Sequence, residues 1–232
     1  MNPLLWLLDL VSPPQCLLCG APAEGGLCQG CSSTIRLCTP PRCPRCGLPY
    51  PEGITSHLCA PCMRGEYSFR FHLSYGLYQG ALQQAIHRLK YAGDTSLVKP
   101  LGEMLWEVAS QWEERFDGIV PIPLHPKDLR RRGYNQSLLL ARFLSKRMGV
   151  PCLSRALRKI RHTPSQTLLP AKERQRNLRG AFEARREEVE GGRFLLLDDV
   201  FTTGATLNEG AKALLRAGAK EVYALTLARS VG

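Results

Sequence analysis

Residues 194–207 read Phe-Leu-Leu-Leu-Asp-Asp-Val-Phe-Thr-Thr-Gly-Ala-Thr-Leu, and this order leaves few folds open. An apolar run ends in two carboxylates, a loop of threonine and glycine follows, and helical spacing begins at Ala205. A strand without polar alternation is buried on both faces, as in a parallel sheet covered on two sides. Small loop residues let backbone N–H groups close around an anion at a helix N-terminus, where the dipole favours negative charge. Asp198 and Asp199 can hold sugar hydroxyls or a metal, so the stretch reads as a site for a phosphorylated sugar. Two other phosphate sites are excluded, since the chain has neither G-x-x-x-x-G-K-[ST] nor G-x-G-x-x-G.

The chain before this stretch alternates in the same way. Phe69, Phe71, Leu73, Tyr75 and Leu77 alternate and predict a half-buried strand. Helical spacing runs over 79–91, stopped by Gly93, then over 97–112 and over 135–148, closed by Gly149. Short buried strands are expected at 118–123 and 193–197, a helix at 205–217 and a last strand at 221–228. Strands and helices in alternation predict an α/β fold, a parallel sheet with helices on both faces. Residues 161–182 carry no period and are rich in Arg, Gln and Asn, which predicts a mobile loop.

Eight of the ten cysteines form four C-x-x-C pairs: Cys16 and Cys19, Cys28 and Cys31, Cys43 and Cys46, Cys59 and Cys62. Each successive set of four can present a tetrahedron of thiolates, which suits zinc, with glycines beside the knuckles for tight turns. Two structural zinc ions are therefore expected, bound sequentially or interleaved across the sets. This segment holds too few large apolar residues for a core of its own, so metal binding has to supply its folding energy. A disulfide scaffold fits poorly with a large cysteine-poor remainder and no evident secretion signal. A redox pair or an iron–sulfur cluster is the lesser alternative. Cys38 and Cys152 read as plain thiols, and His57 as a surface histidine. The division expected is a ribbon module over 1–66 and an α/β domain over 67–232.

The net charge of +11 is uneven: residues 125–186 hold 17 of the 31 basic side chains and 3 of the 20 acidic ones. Such a field attracts polyanions, nucleic acid included. The apolar start, residues 1–11, lacks a basic n-region and is too short to span a bilayer, and residues 3–11 read as a short helix or extended arm that packs on its own domain or on a partner. A cytoplasmic protein, not integral to the membrane, is expected.

The segment Leu195 to Thr206 resembles the signature of the type I phosphoribosyltransferases. The resemblance widens with the cysteine ribbons and with His87-Arg88-Leu89-Lys90-Tyr91-Ala92-Gly93-Asp94 and Val120-Pro121-Ile122-Pro123-Leu124-His125. It continues in Arg132-Gly133-Tyr134-Asn135-Gln136 and in the run from Thr163 through Gln166 and Asn177 to Phe182. Together these look like the ComF family of competence-associated proteins, with which the GntX-like DNA utilization proteins are grouped.

The resemblance implies a phosphoribosyltransferase-like domain and a role in natural transformation or in using external DNA as a nutrient. It implies that Asp198 and Asp199 hold the ribose 2- and 3-hydroxyls of phosphoribosyl pyrophosphate (PRPP) while Thr202, Thr203, Gly204, Ala205 and Thr206 cradle its 5-phosphate. Magnesium accompanies PRPP in this chemistry. Leu124, His125 and Lys127 resemble the pyrophosphate loop, with His125 also a catalytic candidate. The loop 161–182 resembles the one that closes over PRPP, with Arg161, Gln166, Arg174 and Asn177 as contacts; Arg161 is the catalytic candidate among them. Lys90 and Tyr91 flank the site or simply end a helix. No residue that reads a purine or pyrimidine can be picked out. The alternative is a non-catalytic component that binds single-stranded DNA through residues 125–186, or a scaffold, with PRPP as regulator. Partners in DNA uptake would bring it to the inner face of the membrane.

Overall fold

Three sequence features decide the architecture: the unbroken apolar strands, the helical stripes between them and the cysteine-rich front. In the computed structural model, residues 14–24, 26–163 and 177–231 are described. Four strands form one all-parallel sheet: β1 (His72–Leu77), β2 (Gly118–Pro121), β5 (Arg193–Phe201) and β6 (Glu221–Arg229). Their order is β1-β6-β5-β2. The two central strands pair from Arg193 with Glu221 through Phe201 with Arg229. Parallel neighbours need crossovers, and helices supply them.

One face is covered by α3 (Gly80–Tyr91), α4 (Val98–Ala109) and α6 (Gln136–Met148). Leu82, Leu89, Leu101, Leu105, Leu140 and Leu144 pack there on Leu195, Leu197 and Leu225. The next residues of β5, Phe194 and Leu196, turn to the other face and meet Leu207, Ala211 and Leu214 of α8 (Ala205–Arg216). This two-sided burial is why β5 reads as a continuous apolar run.

The second face is only partly helical, and here the structure departs from expectation. Besides α8 it carries an antiparallel hairpin, β3 (Leu157–Lys159) with β4 (Phe182–Ala184), and the second group of cysteines. β1 is accordingly not half-buried. His72 and Ser74, its polar side, are sealed under that cysteine group. His72 bonds through Nδ1 to the carbonyl of Cys46 at 2.9 Å and through Nε2 to Thr226 Oγ1 at 3.1 Å. Burial and then the Arg229 charge hold its pKa down to about 3, so the imidazole is neutral. Arg229 donates to the same Cys46 carbonyl at 2.5 Å and stacks its guanidinium over the Phe201 ring.

Short helices among the described residues are α1 (Gln29–Ser32), α2 (Ala60–Met63), α5 (Pro126–Arg132) and α7 (Arg186–Val189). Arg130 to Arg132 form the last turn of α5, and Gly133 ends that helix with φ +83°. The expected helix at 97–112 is a 3-10 turn over Thr95–Leu97 followed by α4. The helix or arm expected at 3–11 falls outside the described residues. No helix among the described residues is long and apolar enough to cross a membrane.

Candidate active site and metal centres

The cysteines settle into two sequential groups. Ligand atoms of Cys16, Cys19, Cys28 and Cys31 lie within 4.8 Å of one another, as do those of Cys43, Cys46, Cys59 and Cys62. None is in a disulfide. Amides of the knuckles point at sulfur: Cys31 N–H donates to Cys28 Sγ and Cys59 N–H to Cys43 Sγ, both at 3.4 Å. Burial would raise the Cys16 and Cys43 thiols, yet such amides bring each down to about 6. Four converging sulfurs with thiolate-stabilising amides fit structural zinc in both places. Cys38 is a buried lone thiol, pushed by burial up to about 11.

The carboxylates stand inside β5, which continues past them to Phe201 rather than stopping at Leu197. Both are buried. Asp199 Oδ2 pairs with Lys90 Nζ from the last turn of α3 at 2.8 Å and accepts a longer bond from Gln136 Nε2 at 3.3 Å. Gln136 in turn accepts from Arg132 at 2.6 Å. Asp198 Oδ1 accepts from Ser137 Oγ at 3.0 Å. The Arg132-to-Gln136 motif thereby gains a local reason. Gly133 ends α5, Asn135 caps α6 through Ser137 N–H, and the first turn of α6 delivers Gln136 and Ser137 to the acids.

Two buried acids side by side cannot both ionise freely. Burial and then the Asp199 charge push Asp198 well above the usual carboxylate range. Burial is the largest single influence on Asp199 as well, but the charge and hydrogen bond of Lys90, the Arg132 charge and the Val200 amide together outweigh it and hold that carboxyl below the usual range. Lys90, despite desolvation, is raised by the same pair. The acid pair thus already accommodates one cation.

The acids face a cleft of about 370 Å³ with Thr202 and Thr206 on one wall and Lys90, Arg131, Arg132 and Lys159 among the others. Leu124 lines it too. Gly204 turns the chain into α8 with φ +76°, and a side chain there would strike the Phe201 and Tyr67 rings. Tyr67 Oη donates to the Thr203 carbonyl at 3.1 Å, so the turn is braced from the cysteine side. Asn208 of α8 bonds both Ser68 N–H and the Glu66 carbonyl.

Other expected residues lie further out. His125 does not line this cleft; it caps α5, accepting from Lys127 N–H at 3.3 Å, and faces a separate cavity. The Lys127 side chain is exposed and absent from the cleft wall. Arg161 donates to the carbonyls of Asn177 at 2.8 Å and Arg179 at 2.7 Å, which ties together the two ends of the 161–182 segment. Gln166 and Arg174 lie outside the described residues. Sequence reading overlooked Ser137, whose only signal was its place one residue beyond the Asn-Gln of the α6 start.

Comparison with known proteins bears on the same elements. Residues 7–63 match the double zinc ribbon domain family, and residues 135–230 the phosphoribosyl transferase domain family. Competence protein F of Haemophilus influenzae is 34% identical, over 90% of this chain and 92% of that protein. The chain belongs to the ComF family. DNA utilization protein YhgH of Escherichia coli K12 is 34% identical over 96% of this chain and 100% of its own. Competence protein ComFC of Bacillus subtilis is 28% identical over 76% and 80%. Among solved structures, adenine phosphoribosyltransferase from Thermoanaerobacter pseudethanolicus superposes with a TM-score of 0.37 at 17% identity, covering 60% of this chain and 83% of that one, too loosely to bear on the site. In this ComF-family chain the double ribbon and the phosphoribosyltransferase domain are thus both present, with two four-cysteine sites in the first.

Proposed function

We propose that this protein binds magnesium–PRPP in the Asp198/Asp199 cleft as a phosphoribosyltransferase-family protein serving competence or the use of external DNA. The observation that carries the reading is the meeting, in one cleft, of two buried acids, the Thr202–Thr206 turn and a cationic wall. Each part answers a part of the ligand. The carboxylates accept hydrogen bonds from ribose hydroxyls. The turn offers amides to the 5-phosphate. Lys159, Arg131 and Arg132 offset the pyrophosphate charge. Thr163 Oγ1, buried in the cleft wall without a hydrogen-bond partner among the described residues, is free to take a ligand oxygen.

Asp198 and Asp199 would hold magnesium together with the sugar; when bound, the ion neutralises pyrophosphate charge as that group leaves. The protein's own share is to orient the sugar and to keep Asp199 ionised through Lys90. A cationic leaving-group wall and an acid pair beneath the ribose suit an oxocarbenium-like transition state, with charge developing on both sides. Expected roles for His125, Lys127 and the 161–182 segment are retained only for the liganded state, since His125 and Lys127 stand clear of the cleft.

Isothermal titration of magnesium–PRPP, followed by pyrophosphate release across the common nucleobases, tests the reading. Saturable binding that disappears in the Asp198→Asn/Asp199→Asn variant is expected; no heat at millimolar ligand refutes it.

A second reading draws on a cleft of about 680 Å³ that opens beside the first, lined by Tyr78, His87, Tyr91, Tyr134, Arg131 and Arg132. Arg132 lies over the Tyr91 ring at 5.4 Å, and Tyr91 is exposed. Aromatic faces interleaved with arginine suit single-stranded nucleic acid. On this reading the basic stretch 125–186 supplies part of a DNA-binding surface, and PRPP acts as regulator. Steep salt dependence of oligonucleotide binding, lost in Tyr91→Ala/Arg132→Ala, would favour it.

A further inference from the structure

A third cavity, of about 560 Å³, lies on the other side of the Pro123–Pro126 turn. Its walls carry Arg155, Arg158, Lys159, Arg185 and His125 and, among the described residues, no carboxylate. Between these sit apolar surfaces from Leu124 and Ile160. Arg158 is paired with Glu183 at 2.9 Å and Arg185 more loosely with Glu188 at 3.7 Å. Arg155 and Lys159 have no ion-pair partner among the described residues. The local field is positive enough to act on a neighbour: after burial, the charges of His162, Lys159 and Lys127 hold His125 below its usual pKa, against Asp128. Lys159 is half-buried and forms no close ion pair among the described residues; burial outweighs the more distant charges of Asp128 and Asp198 and holds its pKa below the usual lysine value. Such a group gains from any anion that reaches it.

We infer that this cavity is a second binding site, for an organic phosphate of mononucleotide size, and that it opposes ligand binding in the Asp198/Asp199 cleft. Its volume falls within the range of small-molecule sites, on the order of 300–1,000 Å³. Leu124 and Ile160 offer the apolar surface that a base or similar ring covers, while Arg155, Arg158 and Lys159 take the phosphate. Opposition follows from one shared side chain. Lys159 lines both cavities, as do Pro123 and Leu124. One ammonium cannot serve two anions fully, so occupancy of either side weakens the other, and linkage makes the effect reciprocal. The opposition rests on the PRPP reading; the site itself does not.

Full-length, zinc-loaded protein is titrated calorimetrically with adenosine 5′-monophosphate, with adenosine and with inorganic phosphate. The monophosphate is expected to bind saturably and at least tenfold more tightly than either fragment. In Arg155→Ser/Arg158→Ser, both exposed side chains, its binding should weaken at least tenfold while magnesium–PRPP binding stays within twofold. Saturating monophosphate should weaken magnesium–PRPP about fivefold or more and then plateau; Lys159→Gln should abolish that coupling. No monophosphate binding, equal binding of adenosine, or indifference to the arginine pair overturns the site. A PRPP dissociation constant that climbs without plateau means direct competition and overturns it too. If PRPP fails to bind at all but the arginine-dependent monophosphate site is found, the sugar reading falls and this site stands.

Discussion

Gly204→Ala tests the link between the turn and the body of the protein. Two separate costs apply. Gly204 has φ +76°, a left-handed conformation in which an L side chain costs about 1–2 kcal/mol. An added Cβ would also stand 2.4 Å from Phe201 Cζ and 2.8 Å from Tyr67 Cε1. Both rings are buried, at 1% and 7% exposure, so neither can swing away into solvent. Overpacking of this kind costs about 1–3 kcal/mol. The sum, about 2–5 kcal/mol, compares with a typical total of about 5–15 kcal/mol. For a chain this long each kcal/mol moves Tm by about 2–4 °C, so a fall of about 4–20 °C is expected. Urea denaturation of the zinc-loaded protein at fixed pH measures the loss directly. A loss under about 1 kcal/mol would falsify the claim that this turn is locked between two immobile rings.

Further expectations concern the acids and the metals. Asp198 has a folded-state pKa above its unfolded value, so its ionisation opposes folding as pH rises from about 4 toward the raised value. Asp198→Asn should therefore gain stability relative to the parent as pH increases over that window, while PRPP binding weakens; a difference that is flat with pH contradicts the assignment. Asp199 runs the other way: its depressed pKa contributes stability above the unfolded value, lost as pH falls through the folded one. Lys90→Met should erase that contribution, and a pH–stability curve unchanged from the parent would show that the pair does not form in solution. Cys43→Ser should lower Tm more than Cys19→Ser, because Cys43 is fully buried and Cys19 is exposed; scanning fluorimetry of the two zinc-loaded variants decides. Tyr67→Phe removes one hydrogen bond to the Thr203 carbonyl and should cost about 0.5–1.5 kcal/mol, read by denaturant melts.

Much of this was legible because it is written locally. Leu195 to Thr206 carry strand, acids and turn in sequence, and the spacing of the cysteines gives the eight metal ligands, though only the fold decides that they group sequentially. What stayed hidden depends on contacts between distant residues. His72 and Ser74 look like the wet side of an alternating strand, and only the cysteine group packed over them makes them interior. The β3–β4 hairpin has three residues a side, too few to show a period. Lys90 reads equally as a flank of the site or a helix-end cation until Asp199, more than a hundred residues later, is brought beside it. Ser137 is hidden for the same reason.

The residues that leave the second cysteine group, Glu66 to Phe69, are also those that hold the start of α8 and the Thr203 carbonyl. Cys46, through its carbonyl, anchors the end of β6 in the same neighbourhood. The ion's reach therefore extends beyond its own ribbon: a chain starved of zinc would keep its leucine-packed layer and lose the rigidity of the turn at 202–206. Metal supply, rather than sheet formation, then limits how many copies hold that turn in place.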